Sequence, residues 1–556
     1  MNRRILIGLL LGIAHASACP SALSAQTRRE TPKNVSGGEL QADQACFDVQ
    51  HYDLSLDVRP KTQTIEGRLT MQAKATVKTT SIRLDLENTL TVRSVSIDGA
   101  TVQFRHQEDK IQIPTALKAD TVFKVTVNYG GKPRIAPRPP WSGGFTWKQT
   151  KAGLPWIATS CQGEGADIWW PCKDHPSDKP DSMDLHISVP ANLYCASNGK
   201  LISDTKKSGK RHFHWRVSTP ISNYCVALNI APYKVLKKKF KSVAGDTFDT
   251  FFFCLPESLA DAKKAFPHFL DHVRHMEEVC GPYPFRADKY AIVETPHLGM
   301  EHQSIIAYGN HYRLDKDGYD WLHHHEMCHE WWANLVTCRD WKDMWIHEGI
   351  GTYMQALYLE KARGMKAYRD KMRVDSLQIR NRAPIAPREI KNTQEIQFAT
   401  GGNEIYMKGS WVMHTMRWLM GDEKFFLALR RMAYPDPAME ATTDGSAIRF
   451  SDTEEIRAIA EKHYGKDLSW FFEVYIRSAG LPRLIKETKD GRLHLEWQCP
   501  VDGVGFPMPV QVEINGKLTR VEMPSGKASI AIRPKDKINV DPHRWILKRR
   551  TRTRNR

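Results

Sequence analysis

The chain reads as an α+β protein of several domains, and three observations set that class. Apolar residues alternate with period two over the first half, take helical spacing through the middle, and alternate again near the end. The length, 556 residues, allows three or four domains with large apolar cores. Hydrophobic residues make up 41% and charged residues 26%, the balance of a soluble globular protein rather than of a disordered or membrane-embedded one.

The elements follow in order. Residues 1–25 read as a signal peptide: Arg3 and Arg4 form a basic start, Ile5 to Ile13 an apolar core, and small residues follow. Cleavage after Ala25 is the first reading. The rival is a lipoprotein box, Ala16-Ser17-Ala18-Cys19, with Cys19 lipidated. Either way the protein is expected to be exported, to the periplasm or outside the cell. No other stretch is apolar and long enough to cross a bilayer, so no transmembrane helix is expected in the mature chain. Residues 26–44 are polar and read as a disordered linker. From 45 to 254 the alternation of Tyr52, Leu54, Leu56 and Val58, of Ile82, Leu84 and Leu86, and of Phe123, Val125, Val127 and Tyr129 predicts a β domain of half-buried strands. Helical spacing dominates 255–479. Alternation returns in 480–547, at Leu493, Leu495 and Trp497, then at Val510, Val512 and Ile514, with the hairpin signal Asn515-Gly516 behind it. That segment predicts a small C-terminal β-sandwich.

The net charge of +17 is partly local, because residues 548–556 form a basic tail. No aromatic residues interleave with it, so it does not read as a specific nucleic-acid surface; a weak contact with an anionic surface is the most it implies. The eleven cysteines include no C-x-x-C pair, which excludes a cysteine metal site of the usual spacing.

The chemistry concentrates at His325-Glu326-Met327-Cys328-His329 and Glu348, that is, His-Glu-x-x-His, eighteen residues, then Glu. On a helix, residues i and i+4 share a face, so His325 and His329 can aim two imidazoles at one ion. Glu326 lies about 100° round the helix and can reach a bound water instead. His325, His329, Trp332 and Val336 are predicted to share that helical face. Glu348 opens a second helical stretch, to Lys361, that delivers a third ligand. Two imidazoles, one carboxylate and an open fourth position describe a catalytic rather than a structural zinc site. Cys328 points off the ligand face and reads as packing.

The run from His325 to Gly349 resembles the zinc helix and third-ligand helix of the M1 aminopeptidases, gluzincins of the aminopeptidase N and leukotriene A-4 hydrolase type. Three further stretches agree in order. Leu298-Gly299-Met300-Glu301-His302 resembles the family's Gly-x-Met-Glu-Asn exopeptidase motif. Tyr406-Met407-Lys408-Gly409 resembles its Tyr-Glu-Lys-Gly. Thr159-Ser160-Cys161-Gln162-Gly163-Glu164, followed by Trp170-Pro171-Cys172, resembles the strand that lends a Gln or Glu to the site. The chain departs from the pattern at Leu298, His302, His347 and Met407, positions that bear on substrate contacts and not on the reaction.

The resemblance implies a β-saddle N-terminal domain and a thermolysin-like catalytic domain. It implies one Zn²⁺ per chain on His325, His329 and Glu348, with Glu326 as general base toward a zinc-activated water and Tyr406 as donor to the oxyanion. Glu301 and Gln162, with Gly299 and Met300 beside them, are implied to grip a free α-amino group, and Glu164 to assist. The expected function is a zinc metallo-aminopeptidase acting on peptides with a free N-terminus. Two alternatives stand beside it: a thermolysin-like endopeptidase, which needs no amine anchor, and an inactive binding scaffold, which needs no intact site. Epoxide hydrolysis would need a further acid near Tyr406, where a gapless match places Phe398.

Overall fold

A computed structural model describes residues 35–316, 318–397 and 403–549. The signal segment with Cys19, the first part of the linker, Phe398 and the basic tail beyond Arg549 lie outside the described residues.

The end of the expected linker is ordered, contrary to the sequence reading. Ser36 and Gln44 are buried. The reason is that the polar residues find partners: the Gln44 amide donates to Asp85 (2.5 Å) and accepts from Arg83, and the Trp341 indole donates to the Ser36 hydroxyl (3.3 Å).

The β domain is built on an eight-stranded sheet. Its central strands are Phe47–Arg59, Thr64–Ala75, Val122–Gly131 and Ser182–Pro190, and the first and last of these pair in parallel. Tyr52, Leu54, Leu56 and Val58 are at most 2% exposed, as period-two alternation requires when one face is covered. Ile82 and Leu84 bury the inner face of a smaller three-stranded sheet. A four-stranded sheet carries Pro155–Ser160, whose end leads directly to Gln162.

The sheet beside the helical part begins before residue 255. The hairpin Lys234–Lys241 and Thr247–Cys254 belongs to a five-stranded sheet, where Thr247–Cys254 runs parallel to Tyr290–Glu294. The change to helical spacing at 255 therefore marks a change of element, not of sheet. That sheet also holds Ile306–Tyr308 and Gly299–Met300. Around it lie the helices Leu259–Cys280, Trp321–Cys328, Trp345–Asp375 and Gly409–Met420. The long helix breaks at Gly364, where φ is +77°.

The C-terminal part is two three-stranded sheets. The hairpin Val510–Ile514 to Lys517–Val521 turns at Asn515 and Gly516, both with positive φ (50° and 83°), which a two-residue I′ turn demands. Among the described residues no helix is long and apolar enough to cross a membrane, and the ten described cysteines are all unpaired.

Candidate active site

The helix carrying the two histidines is short and firmly started. Asp320 caps it, accepting from the His323 amide (3.1 Å) and from the Tyr308 hydroxyl (2.5 Å). It ends at His329. Beyond it the backbone leaves helical geometry at Trp332 (φ −103°, ψ 64°) and Ala333, and Val336–Cys338 is a strand. The expected continuation of the ligand face through Trp332 and Val336 is therefore absent. The break has a use: it turns the Trp332 carbonyl back to accept from His329 Nδ1 (2.9 Å). This fixes the tautomer that leaves Nε2 free for a metal.

Glu348 lies in the first turn of Trp345–Asp375. Its Oε2 stands 3.5 Å from His325 Nε2 and 3.5 Å from His329 Nε2, and the two Nε2 atoms are 3.4 Å apart. A tetrahedral ion with bonds of about 2.0–2.1 Å needs ligand edges of about 3.3–3.4 Å. The triangle fits. Glu348 Oε2 is buried and receives no protein hydrogen bond, and burial holds its pKa up. Burial also pushes the His325 pKa down to about 4, which keeps that imidazole in the neutral, ligating form.

Two glycines let the elements meet. A side chain at Gly349 would strike the Gly409 backbone (2.7 Å) and the Ile405 carbonyl (2.8 Å). This contact seats the turn Glu404–Lys408, and with it Tyr406, against the ligand helix. A side chain at Gly351 would reach Cys328 Sγ (3.0 Å), which packs there as expected. The Tyr406 hydroxyl interacts with the Glu348 carboxylate, and its ring lies 6.1 Å from that of His325.

Glu326 is 7% exposed. Burial first, then Glu301 and Glu348, push its pKa up. Gly299 makes room for it: a Cβ there would sit 2.6 Å from Glu326 Oε1. Met300 is buried beside it in a two-residue strand.

Glu301 is 3% exposed and held by three elements. Gln162 Nε2 donates to its Oε1 (2.6 Å), and so does the Tyr224 hydroxyl (3.0 Å). The side-chain amide of Asn334 donates to its backbone carbonyl (3.0 Å). Burial raises its pKa to about 6. Gln162 thus stands against Glu301, its own Oε1 accepting from Gln397 (3.3 Å). Glu164 does not join them. Its carboxylate accepts from the Gly143 amide (2.7 Å) and Ser142 hydroxyl (3.0 Å) and faces Arg134, so it anchors a loop.

Tyr224, Asn334 and the Trp332 carbonyl escaped the sequence reading. Of the departures from the family pattern, His302 is fully buried with a pKa pushed down to about 3 by burial, and His347 Nε2 accepts from the Cys338 amide (2.9 Å). Met407 is half-buried.

Comparison with known proteins agrees with this geometry. Residues 48–225 match the model of the Peptidase M1 N-terminal domain and residues 278–470 that of the Peptidase family M1 domain. Aminopeptidase N of Lactococcus lactis subsp. lactis is 22% identical over 475 residues, which cover 81% of this chain and 53% of the relative. Endoplasmic reticulum aminopeptidase 1 of Homo sapiens is 24% identical over 330 residues, 55% of this chain and 34% of the relative. The chain thus spans about half, or less, of the length of the curated relatives it matches. Among solved structures, a mutant M1 zinc metallopeptidase from Deinococcus radiodurans, bound to a Tyr-Ser-Ala substrate, shares the fold with a TM-score of 0.63. It is 22% identical and is covered over 95% of its length by 78% of this chain. Two matched domains in the expected order, on a fold shared with solved members, show that the chain belongs to peptidase family M1.

Proposed function

We propose that the protein is a zinc aminopeptidase that removes N-terminal residues from peptides with a free α-amino group. One observation carries the reading: a buried, unpartnered Glu348 oxygen closes a tetrahedral edge with two imidazoles, and a second carboxylate, Glu301, is held ready nearby. His325, His329 and Glu348 would hold Zn²⁺, which when bound supplies a Lewis acid for the scissile carbonyl and acidifies a water.

The chain's own residues do the rest. Glu326 takes the proton of the attacking water and passes it to the leaving amine. Its raised pKa suits a group that must carry that proton between two partners. Tyr406 donates a hydrogen bond to the oxygen that becomes negative. Glu301 receives the substrate's ammonium on the oxygen left open by Gln162 and Tyr224, a charge-assisted contact that also sets the register of the scissile bond. Relatives named aminopeptidases support the reading. The test is a panel of aminoacyl fluorogenic substrates together with metal analysis. One zinc per chain and turnover of free-amine substrates are expected; full activity in metal-free protein would overturn it.

We also infer export, on the basic start at Arg3 and Arg4 and the apolar run that follows. The intact mass of the secreted or membrane-extracted protein tests it. A mass beginning at Gln26, or one carrying lipid on Cys19, supports export; an untrimmed Met1 in the cytoplasm overturns it.

A further inference from the structure

Residues 36–38, Ser-Gly-Gly, form a strap that is hydrogen-bonded to both the β domain and the helical part. The Ser36 amide donates to the Gly163 carbonyl (3.3 Å), and the Ser36 carbonyl accepts from the Thr393 amide (3.2 Å). Gly37 makes an isolated antiparallel bridge with Asn392. His175 Nε2 donates to the Gly38 carbonyl (3.0 Å). The Thr393 hydroxyl closes the ring by donating to the same Gly163 carbonyl (2.5 Å). That hydroxyl is not needed to start its own helix. Asn392 and Glu395 do so by exchanging side-chain bonds to each other's amides (2.9 and 3.0 Å), in the manner of a capping box.

The strap also crosses Trp341, and only glycine fits there. Gly37 has φ +83°, and a Cβ on it would overlap the five-membered edge of the indole. The indole N–H donates to the Ser36 hydroxyl (3.3 Å), and the Trp341 ring meets that of Tyr224 (5.7 Å). Both lines lead to one place. Gly163 follows Gln162, Trp341 packs on Tyr224, and Gln162 and Tyr224 are the two donors to Glu301 Oε1 (2.6 and 3.0 Å). A chain end tied down only for order has no reason to land on the supports of both donors.

We propose that Ser36, Gly37 and Gly38, with Thr393, are positioning residues for the amine anchor, an assignment that rests on the reading of Glu301 as that anchor. They hold Gln162 through Gly163 and Tyr224 through Trp341. Both donors then stay on one Glu301 oxygen, and the other stays open to an ammonium. His325, His329 and Glu348 lie on other elements, so a loosened strap costs recognition of the free amine and not the metal.

The test is saturation-transfer NMR on the zinc-loaded full chain with L-leucine and 4-methylpentanoate. The two differ by the ammonium, and neither has a peptide bond for the proposed reaction to cut. Mildly alkaline buffer keeps Glu301 ionised. Wild type should bind leucine more tightly than 4-methylpentanoate. Gly37→Ala should weaken leucine at least about threefold, which is half the free energy of one charged hydrogen bond. Its zinc content and its binding of 4-methylpentanoate should not change. Thr393→Val removes one hydroxyl and should weaken leucine about twofold, the low end for a neutral hydrogen bond. Gly465→Ala is the stability control: it strains a positive φ (78°) in open space at the end of the helix Thr453–Tyr464, and should keep the wild-type preference. The proposal fails if folded, zinc-loaded Gly37→Ala keeps that preference, or weakens both ligands alike as a merely structural strap would. If Gly37→Ala does not fold, Thr393→Val decides by the same reading. A wild type that binds both ligands alike overturns the anchor itself, and the strap's role with it.

Discussion

Tyr224→Phe removes one hydroxyl and nothing else, and it tests the amine anchor where the structure is most specific. The phenol ring stays against Trp341, 5.7 Å away, so the fold has no reason to change. What is lost is the donor 3.0 Å from Glu301 Oε1. A hydrogen bond to a charged group is worth roughly 1.5–3 kcal/mol. Gln162 remains at 2.6 Å, so the low end applies. A loss of about 1.4 kcal/mol in support of the ionised form is about one pKa unit.

The sign follows from which form is stabilised. Burial raises Glu301 to about 6, and the Tyr224 hydroxyl opposes that rise by stabilising the carboxylate. The anchor is charged above that pKa and neutral below it. In wild type, kcat/KM for free-amine substrates should therefore fall as pH drops through about 6. In Tyr224→Phe the acid limb should move up by about one unit, with close to a tenfold loss in kcat/KM at about pH 5, below both pKa values, and only about a twofold loss near neutrality. Aminoacyl coumarin hydrolysis from pH 5 to 9 (roughly the range over which a carboxylate and its neighbours titrate), with melting temperatures alongside, measures both. An unmoved or downward-moved limb in a stable variant would refute the reasoning.

Glu326→Gln should keep its zinc and lose turnover by several orders of magnitude, since it removes the base and no ligand; metal analysis beside kcat checks it. Gly349→Ala should lower both the melting temperature and kcat, because its new methyl meets the Gly409 backbone at 2.7 Å and displaces the turn carrying Tyr406. A cost of about 1–3 kcal/mol is expected for such overpacking, and calorimetry with steady-state kinetics reads it. A chelator should abolish activity while far-UV circular dichroism stays unchanged, with zinc restoring turnover, because large apolar cores rather than the metal hold the fold.

The legible part of the site is the part written in local spacing. His325 and His329 are four residues apart, and a single turn of helix brings them together whatever surrounds it. Strand alternation was equally readable, since one covered face imposes it on Tyr52, Leu54, Leu56 and Val58. The hairpin at Asn515-Gly516 needed only the two left-handed residues that its turn demands. What remained hidden depends on distant partners. Tyr224 reaches Glu301 from 77 residues away, out of a short 3₁₀ turn with no periodic signature. The break after His329 carries no glycine or proline to announce it; it shows only in the non-helical backbone angles of Trp332 and Ala333. The sheet crossing residue 254 and the burial of Ser36 and Gln44 are long-range pairings of the same kind. Gln162 was named from a motif, but that its amide would rest on Glu301 and accept from Gln397 is visible only in three dimensions.

The central claim is that chemistry begins at a free N-terminus, and mass spectrometry of one peptide in two forms tests it most directly. A decapeptide with a free amine and its N-acetylated twin are incubated with the zinc-loaded protein, and with Glu301→Ala in parallel. A ladder of single-residue losses from the free form is expected, with no cleavage of the acetylated form and a smaller gap between the two in Glu301→Ala. Internal cleavage of the acetylated peptide at the rate of the free one would contradict it.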